Sequence, residues 1–130
     1  MNIRVGLIGA DIQQSRSPAL HMREGAAQGL DYRYDIIDLT RRGLGPEALP
    51  QLLTEAEAQG FAGVNVTHPC KQQVIPLLDD LSEDARALGA VNTVVFADGR
   101  RTGHNTDWSG FYESFRRGLP DVTLDCALQL

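Results

Sequence analysis

Lys71 and Asp107 are the side chains of this sequence whose types and positions best suit proton transfer. Lys71 follows Pro69, and we expect it in the first turn of a helix, where a cation opposes the positive end of the helix dipole. Such a position favours proton exchange near neutral pH. Asp107 opens a later helix and could orient the lysine ammonium. The residue pattern alone also fits a surface lysine and a capping aspartate.

Hydroxyl and amide side chains stand near the ends of predicted strands. They are Ser15, Ser17, Asn65, Thr67 and Asn92. Pro18 is favoured at a first helical position, which makes Ser17 a candidate N-cap, and a helix start with two hydroxyls also suits a bound carboxylate. Asn65 and Thr67 face one side of an extended segment because side chains alternate there. Asn92 interrupts an apolar strand, so it either pairs with a backbone group or faces a ligand.

Apolar runs alternate with helical patterns along the chain. Strands are predicted over 3–8, 32–39, 61–66, 91–96, 101–104 and 122–130, and helices over 18–29, 46–59, 69–78, 82–88 and 106–117. This alternation predicts an α/β fold with three layers, α/β/α, and a mostly parallel sheet that a hairpin at Asp98-Gly99 makes mixed. Ligands of open α/β sheets bind beyond the carboxyl ends of the strands. The polar side chains should therefore gather at one edge, where they would suit a small polyhydroxylated acid.

The composition limits the classes of function. A chain of 130 residues, 42% of them hydrophobic, suffices for one packed domain. The net charge of −5 argues against nucleic acid or an anionic membrane surface as a partner, because either would favour a basic face. No apolar stretch approaches the roughly 20 residues of a membrane span, and the N-terminus lacks the pattern of a signal peptide. Two cysteines make no disulfide framework, so we expect a reducing cytoplasm.

Other kinds of site are not favoured by the pattern. The histidines, at positions 21, 68 and 104, are too scattered for metal-ligand spacing, so no metal is expected. Gly6-Leu7-Ile8-Gly9 follows a strand but lacks the Gly-x-Gly-x-x-Gly spacing of a dinucleotide loop, and the next helix begins only near Pro18. We therefore expect no cofactor-binding residues in this chain. Trp108 and Phe111, at helical spacing, are expected in the core.

Four segments together resemble the shikimate dehydrogenase family. They are Ser15-Arg16-Ser17-Pro18, Asn65-Val66-Thr67-His68-Pro69-Cys70-Lys71, Gly89-Ala90-Val91-Asn92-Thr93 and Gly103-His104-Asn105-Thr106-Asp107 with Gly110. Their order and spacing are similar to those of the family over nearly the whole chain. Gln14-Ser15-Arg16 and Thr67-His68-Pro69 resemble its quinate/shikimate dehydrogenase branch. Cys70 departs from the large apolar residue frequent in the family, and we expect only a local packing change there.

The resemblance implies a fold like the amino-acid-dehydrogenase-like N-terminal domain and a role for each matching residue. Ser15 and Ser17 would bind the substrate carboxylate. Ring hydroxyls would be bound by Asn65, Thr67, Asn92 and Asp107. Lys71 would be the acid/base, with Asp107 as its partner. The implied reaction is reversible hydride transfer between NAD or NADP and shikimate, quinate or their 3-dehydro forms, in a monomer or homodimer.

The resemblance also divides the chain. Residues 1–118 would form the substrate-binding catalytic domain, and residues 119–130 a linker and the first strand of a nucleotide-binding domain that the chain lacks. NADP or NAD would be bound by that absent domain, so the chain alone should be inactive. Two alternatives stay open: a module that binds shikimate-like acids without catalysis, and an unrelated α/β domain whose polar residues only cap helices.

Overall fold

The computed structural model describes residues 2–129. Within that range the strands are β1 (Asn2–Gly9), β2 (Asp31–Asp38), β3 (Gly63–Val66), β4 (Asp80–Leu81), β5 (Thr93–Ala97) and β6 (Arg100–His104). The helices of the same range are α1 (Ser17–Ala27), α2 (Leu39–Arg42), α3 (Leu49–Ala58), α4 (Cys70–Gln73), α5 (Glu83–Leu88) and α6 (Asp107–Gly118). Short 3-10 turns span Pro46–Ala48 and Ile75–Leu77.

The strands form a sheet in the order β2-β1-β3-β5-β6-β4. Neighbours pair in parallel except at β5, which is antiparallel to both β3 and β6. β5 and β6 make the predicted hairpin, and Asp98 and Gly99 both adopt the positive φ angles that its tight turn needs. This mixed, mostly parallel sheet with helices on both faces confirms the predicted α/β architecture.

Alternation of side chains along the strands divides the core between the two faces of the sheet. Ile8 and Val64 point to one face, where they pack with Leu53 of α3 in the larger buried cluster. Leu7 and Tyr34 point to the other face, where α1 packs against β2. Removal of these apolar side chains from water drives the layers together, so the polar residues are left at the strand ends.

Two of the predicted helices are shorter than expected. The helix predicted over 46–59 begins as a 3-10 turn and becomes α-helical only at Leu49. The helix predicted over 69–78 reduces to α4, because Pro76 has no N–H with which to continue the α-helical ladder. Four residues carry little net dipole, so the helix-dipole argument for Lys71 does not hold. β4 and α2 were not predicted, since elements of two and four residues show no periodicity.

The C-terminal part of the chain also differs from expectation. The strand predicted over 122–130 is wrong for residues 122–129, which are exposed and form neither helix nor strand; Leu130 lies outside the described residues. A strand-like sequence forms a strand only where its backbone groups pair with a neighbour, and this segment has none within residues 2–129.

α6 lies on the surface of the domain. Among the described residues, none of its side chains is buried, so the prediction that Trp108 and Phe111 join the core is wrong. Their side chains are 44% and 73% exposed, because α6 leaves the end of β6 without packing closely on another element. No helix of the described range is long and apolar enough to cross a membrane.

Gly63 sets the close approach of β3 and β5. A Cβ atom at this position would lie closer to the Val94 carbonyl oxygen than real Cβ atoms come to backbone. We expect Gly63→Ala to lower the free energy of unfolding by roughly 1–3 kcal/mol, measured by urea denaturation followed by circular dichroism. The matched control is Gly110→Ala in α6, where the added methyl group meets open space and favours the helix. Equal stability of the two variants would contradict the packing argument.

Candidate active site

One edge of the sheet gathers the polar side chains singled out from the sequence. β1, β3 and β6 end at this edge, and β5 begins there because it runs antiparallel. The register pairs Asn65 with Thr93 and Thr93 with His104. The loops that leave the same edge carry Lys71 and Asp107. The structure therefore brings together side chains that lie up to 42 positions apart in the sequence, from Asn65 to Asp107.

Lys71 and Asp107 form an ion pair. The lysine Nζ lies 2.5 Å from Asp107 Oδ2, and the two side chains are 37% and 55% exposed. A pair this open to water contributes little to stability, because solvent screens the attraction. Its geometry suits proton handling instead, since the carboxylate accepts a hydrogen bond from the ammonium and keeps it at the rim of the edge.

The backbone around residues 90 and 91 holds both partners of this ion pair. The Val91 N–H donates to the Lys71 carbonyl oxygen at 2.8 Å. Asn105, which is only 7% exposed, donates from Nδ2 to the Ala90 carbonyl oxygen at 3.0 Å and accepts from the Asp107 N–H at 2.9 Å. A buried amide with both ends paired is costly to displace, so Asn105 fixes the start of α6 relative to Lys71.

A chain of side-chain hydrogen bonds crosses the edge next to this pair. Tyr34 donates to Asn65 Oδ1 at 2.8 Å, and Asn65 Nδ2 donates to the Thr93 hydroxyl at 2.9 Å. The Thr93 hydroxyl donates to Asn92 Oδ1 at 3.0 Å, and Asn92 Nδ2 donates to the Thr106 hydroxyl at 2.9 Å. The chain joins β2, β3 and β5 to the residue before α6, and each member restrains the next.

Tyr34 is the buried end of this hydrogen-bonded chain. Its side chain is 6% exposed and packs on the ring of His21, with the ring centroids 4.6 Å apart. Burial, with a smaller contribution from the nearby Tyr32, raises the pKa of Tyr34 to about 12, against the opposing effect of a hydrogen bond with the Ser17 hydroxyl. Tyr34 therefore stays protonated and able to donate throughout the physiological pH range.

Ser15 and Ser17 flank the start of α1, but Ser17 is not the N-cap. Arg16 occupies the capping position without a side-chain hydrogen bond, and Ser17 is the first helical residue, with Pro18 directly after it. The Ser15 hydroxyl accepts from the Ser17 N–H at 3.2 Å. Among residues 2–129, no hydrogen bond or ion pair joins either serine to Lys71 or Asp107.

Thr67 lies where β3 runs into the loop before α4. Its N–H donates to the Ile8 carbonyl oxygen at 2.9 Å, which fixes the loop beside the end of β1. Thr67 and Lys71 line one open cavity of about 530 Å³. Within the described residues the Thr67 hydroxyl makes no side-chain hydrogen bond, so it is available to a ligand. The adjacent Cys70 is fully buried in the core.

Asp38 anchors the loop that carries the two serines. Its carboxylate is 3% exposed and accepts hydrogen bonds at 3.0–3.4 Å from the backbone N–H groups of Asp11, Ile12, Thr40 and Arg41 and from the Gln13 side chain. Burial alone would raise the pKa of Asp38, but these hydrogen bonds outweigh it and hold the pKa below the ordinary value. The carboxylate therefore ties the loop after β1 to the end of β2.

Several residues of this edge escaped the sequence analysis. They are Tyr34, Asp38, Thr93, Asn105 and Thr106. Asn105 carried the clearest signal, since a polar residue between a strand and a helix needs buried partners. The contacts of Tyr34 with Asn65, and of Asp38 with Asp11, Ile12 and Gln13, carried none, because these partners lie at least 25 residues away in the sequence.

A protein-family model matches most of this chain. Residues 7–94 match the model of the shikimate dehydrogenase substrate binding domain. The chain belongs to the shikimate dehydrogenase family. The resemblance found in the four sequence segments is thereby confirmed.

Some of the relatives that are similar to this chain are named as NADP(+) enzymes and others as NAD(+) enzymes. The shikimate dehydrogenase (NADP(+)) of Streptomyces avermitilis is 60% identical over 126 residues, which are 97% of this chain and 43% of that protein. The quinate/shikimate dehydrogenase (NAD(+)) of Corynebacterium efficiens is 53% identical over 131 residues, 99% of this chain and 46% of that protein. The chain thus spans less than half the length of these curated relatives.

Solved structures of family members share the fold. Quinate dehydrogenase from Corynebacterium glutamicum in complex with NAD superposes with a TM-score of 0.87 at 50% identity, over 95% of this chain and 44% of that one. Shikimate 5-dehydrogenase from Listeria monocytogenes in complex with shikimate and NAD gives a TM-score of 0.81 at 36% identity, over 90% and 39% of the two chains. Both agree with the sheet and helices described above.

The lowered pKa of Asp38 makes a prediction about acid stability. Its carboxylate contributes stability above the unfolded pKa of 3.8, and this contribution is lost as the pH falls through the lower folded pKa. We expect Asp38→Asn to lower the free energy of unfolding at pH 7, because an amide N–H₂ then faces backbone donors. Below pH 3.8 the difference from the unmodified chain should shrink, as urea unfolding at several pH values would measure.

The matched control for this prediction is Asp31→Asn. Asp31 begins the same strand, is exposed and makes no side-chain hydrogen bond within residues 2–129. It should show little change in stability at any pH. An Asp38→Asn penalty that stays constant from pH 7 to pH 3 would show that the carboxylate charge does not stabilise the loop.

Proposed function

We propose that this chain supplies the substrate-binding and acid/base part of a shikimate/quinate dehydrogenase. The reaction is the reversible, NAD(P)-dependent oxidation of shikimate or quinate to the 3-dehydro form. The observation that carries the proposal is the Lys71–Asp107 ion pair, which stands beside hydroxyl and amide groups at one edge of the sheet. The curated relatives with this domain carry names for that activity.

In this proposal Lys71 handles the proton of the hydroxyl that is oxidised. In its neutral form Lys71 Nζ accepts the proton from the hydroxyl oxygen, and the carbonyl forms as the carbon loses a hydride. The nicotinamide, when bound, supplies the hydride acceptor. In the reverse direction the Lys71 ammonium returns the proton to the oxygen. Asp107 orients Nζ and stabilises the ammonium, because its carboxylate accepts a hydrogen bond from the lysine.

The remaining site residues would hold the polyhydroxylated acid. Among the described residues the Ser15 hydroxyl accepts from the Ser17 N–H and donates to no group, so its own hydrogen can point to a carboxylate next to the start of α1. Ring hydroxyls would meet side chains of the same edge, namely Asn65, Thr67, Asn92 and Asp107. A ligand of this kind needs hydrogen bonds from several elements at once, and this edge offers them from β3, from the loops that carry Ser15, Thr67 and Asn92, and from the start of α6.

The described residues do not fit the nicotinamide cofactor. The one turn that follows a strand with closely spaced glycines is at Gly9, where a Cβ atom would already collide with the Thr67 side chain. The next N–H, of Ala10, donates to the His68 carbonyl oxygen at 2.9 Å and so does not face a phosphate. We therefore place the cofactor on a part of the enzyme other than these residues. The chain alone would bind the acid without oxidising it.

The binding half of the proposal is tested directly on the chain. We expect titration calorimetry to detect binding of shikimate or quinate, and Ser15→Ala to weaken the acid but not its methyl ester, because only the acid offers a carboxylate. Arg23→Ala, an exposed change on α1, is the control and should leave both affinities unchanged. Absence of heat with both acids would refute the substrate assignment.

The catalytic half needs the rest of a dehydrogenase. A chimera in which this chain replaces the matching part of the Streptomyces avermitilis relative supplies it. We expect Lys71→Ala to lower kcat by about 10²–10⁴-fold while the Kd of shikimate changes far less. Lys71→Arg should not restore turnover, because a guanidinium cannot give up its proton. Equal losses in kcat and in affinity would make Lys71 a ligand contact and favour a binding module.

A further inference from the structure

Two backbone groups fix the direction of the hydrogen-bonded chain that runs from Tyr34 to Thr106. The Asn92 carbonyl oxygen can only accept, and it faces Asn65 Nδ2 at 3.4 Å. The Thr106 N–H can only donate, and it faces Asn92 Oδ1 at 3.1 Å. Rotation of either side-chain amide by 180° would oppose like groups. The orientations of Asn65 and Asn92 are therefore determined by the fold.

These two fixed amides also determine the direction of the hydrogen bonds made by the Thr93 and Tyr34 hydroxyls. The Thr93 hydroxyl receives a hydrogen from Asn65 Nδ2, so its single hydrogen goes to Asn92 Oδ1. Asn65 Oδ1 then needs a donor, and the Tyr34 hydroxyl provides it at 2.8 Å. The high pKa of Tyr34 keeps that hydrogen in place. Each side-chain hydrogen bond in this series is consequently donated in the direction that leads from Tyr34 to Thr106.

The two asparagine side chains each keep one hydrogen-bonding position that a ligand can use. Both hydrogens of Asn65 Nδ2 are used, on Thr93 and on the Asn92 carbonyl, whereas Asn65 Oδ1 keeps one lone pair after Tyr34. In Asn92 the amide oxygen is the saturated group: both lone pairs of Oδ1 accept hydrogen bonds, from Thr93 and from the Thr106 N–H. Its Nδ2 donates one hydrogen to the Thr106 hydroxyl and keeps the other. Asn65 can thus only accept from a ligand, and Asn92 can only donate.

We infer that Tyr34 is a specificity-determining positioning residue: together with Thr93 and the Asn92 carbonyl oxygen it holds the Asn65 side chain, so that Oδ1 accepts a single hydroxyl hydrogen of the bound acid. This inference rests on the proposed function and adds which site groups accept hydrogen bonds from the ligand and which donate to it. Tyr34 acts through Asn65 and does not meet the reacting atoms. A ligand whose hydroxyl at this position is missing, or is replaced by an acceptor, loses the contact.

The test measures the affinities of the unmodified chain and of the Tyr34→Phe variant for four ligands. These are shikimate and its three monodeoxy analogues, each of which lacks one ring hydroxyl. Removing the phenol hydroxyl takes away one of the three hydrogen bonds that hold the Asn65 side chain, so Oδ1 is placed less firmly and we expect the affinity for shikimate to fall roughly tenfold. For one analogue, the one without the hydroxyl that Asn65 accepts, the same substitution should cause almost no loss. A general structural defect would weaken all four ligands by the same factor.

The matched control is Tyr32→Phe. Tyr32 precedes Tyr34 by two residues on the same face of β2, and its hydroxyl lies 3.4 Å from His21 Nδ1, away from Asn65. It should leave the four affinities in their original ratio. Should Tyr34→Phe fail to fold, Thr93→Val serves as the second variant. Valine has nearly the same volume as threonine but lacks the hydroxyl that accepts from Asn65 Nδ2. This substitution removes one partner of Asn65 Nδ2 and one of Asn92 Oδ1, so its loss of affinity should be smaller for the two analogues that lack a hydroxyl bound by Asn65 or by Asn92 than for the third.

The possible outcomes separate the two proposals. If the unmodified chain binds shikimate but Tyr34→Phe weakens all four ligands equally, or none, the inference about Tyr34 fails and the proposed function stands. If the unmodified chain binds neither shikimate nor any analogue, both fail. If one analogue alone is spared, the donor and acceptor sense derived from the fold is correct.

Discussion

β5 runs antiparallel between β3 and β6, so its first residues lie beside the last residues of both neighbours. In a fully parallel sheet this position would hold the end of a strand, and the chain would leave it in the same direction as its neighbours. Here the segment before β5 enters the edge instead. It brings Asn92 and the backbone of residues 90 and 91 between the loop of Lys71 and the start of α6. The ion pair and the hydrogen-bonded chain both depend on that entry.

The polar groups of the edge divide into two kinds. Asn65, Thr93 and Asn105 have their hydrogen-bonding capacity largely used within the fold, and they hold their neighbours in place. Within residues 2–129 the side chains of Lys71 and Asp107 pair only with each other, and they stand half in water. The first kind is costly to disturb because a buried unpaired group loses its solvation. The second kind can change partner at little cost, as the proton transfer proposed for this pair requires.

The sequence predicted the sheet class, the hairpin at residues 98 and 99 and the gathering of polar residues at one edge, because each follows from local patterns. Alternation identifies strands, and the carboxyl ends of parallel strands must meet. The roles of Tyr34 and Asp38 could not be predicted, since they depend on strand register and on partners distant in sequence. The strand expected at 122–130 shows the converse: its residues favour a strand, but within residues 2–129 no neighbouring strand pairs with 122–129.

The tight turn at Asp98 and Gly99 lies at the far end of the hairpin from the site. β5 and β6 each have five residues, so the turn stands about 16 Å from Thr93 and His104. It is exposed, and its backbone supports nothing at the polar edge. Insertion of a peptide or a fluorescent label between Asp98 and Gly99 would leave the register of β5 and β6 intact. The domain thus offers an attachment point for sensors that report on ligand binding without altering the residues that bind.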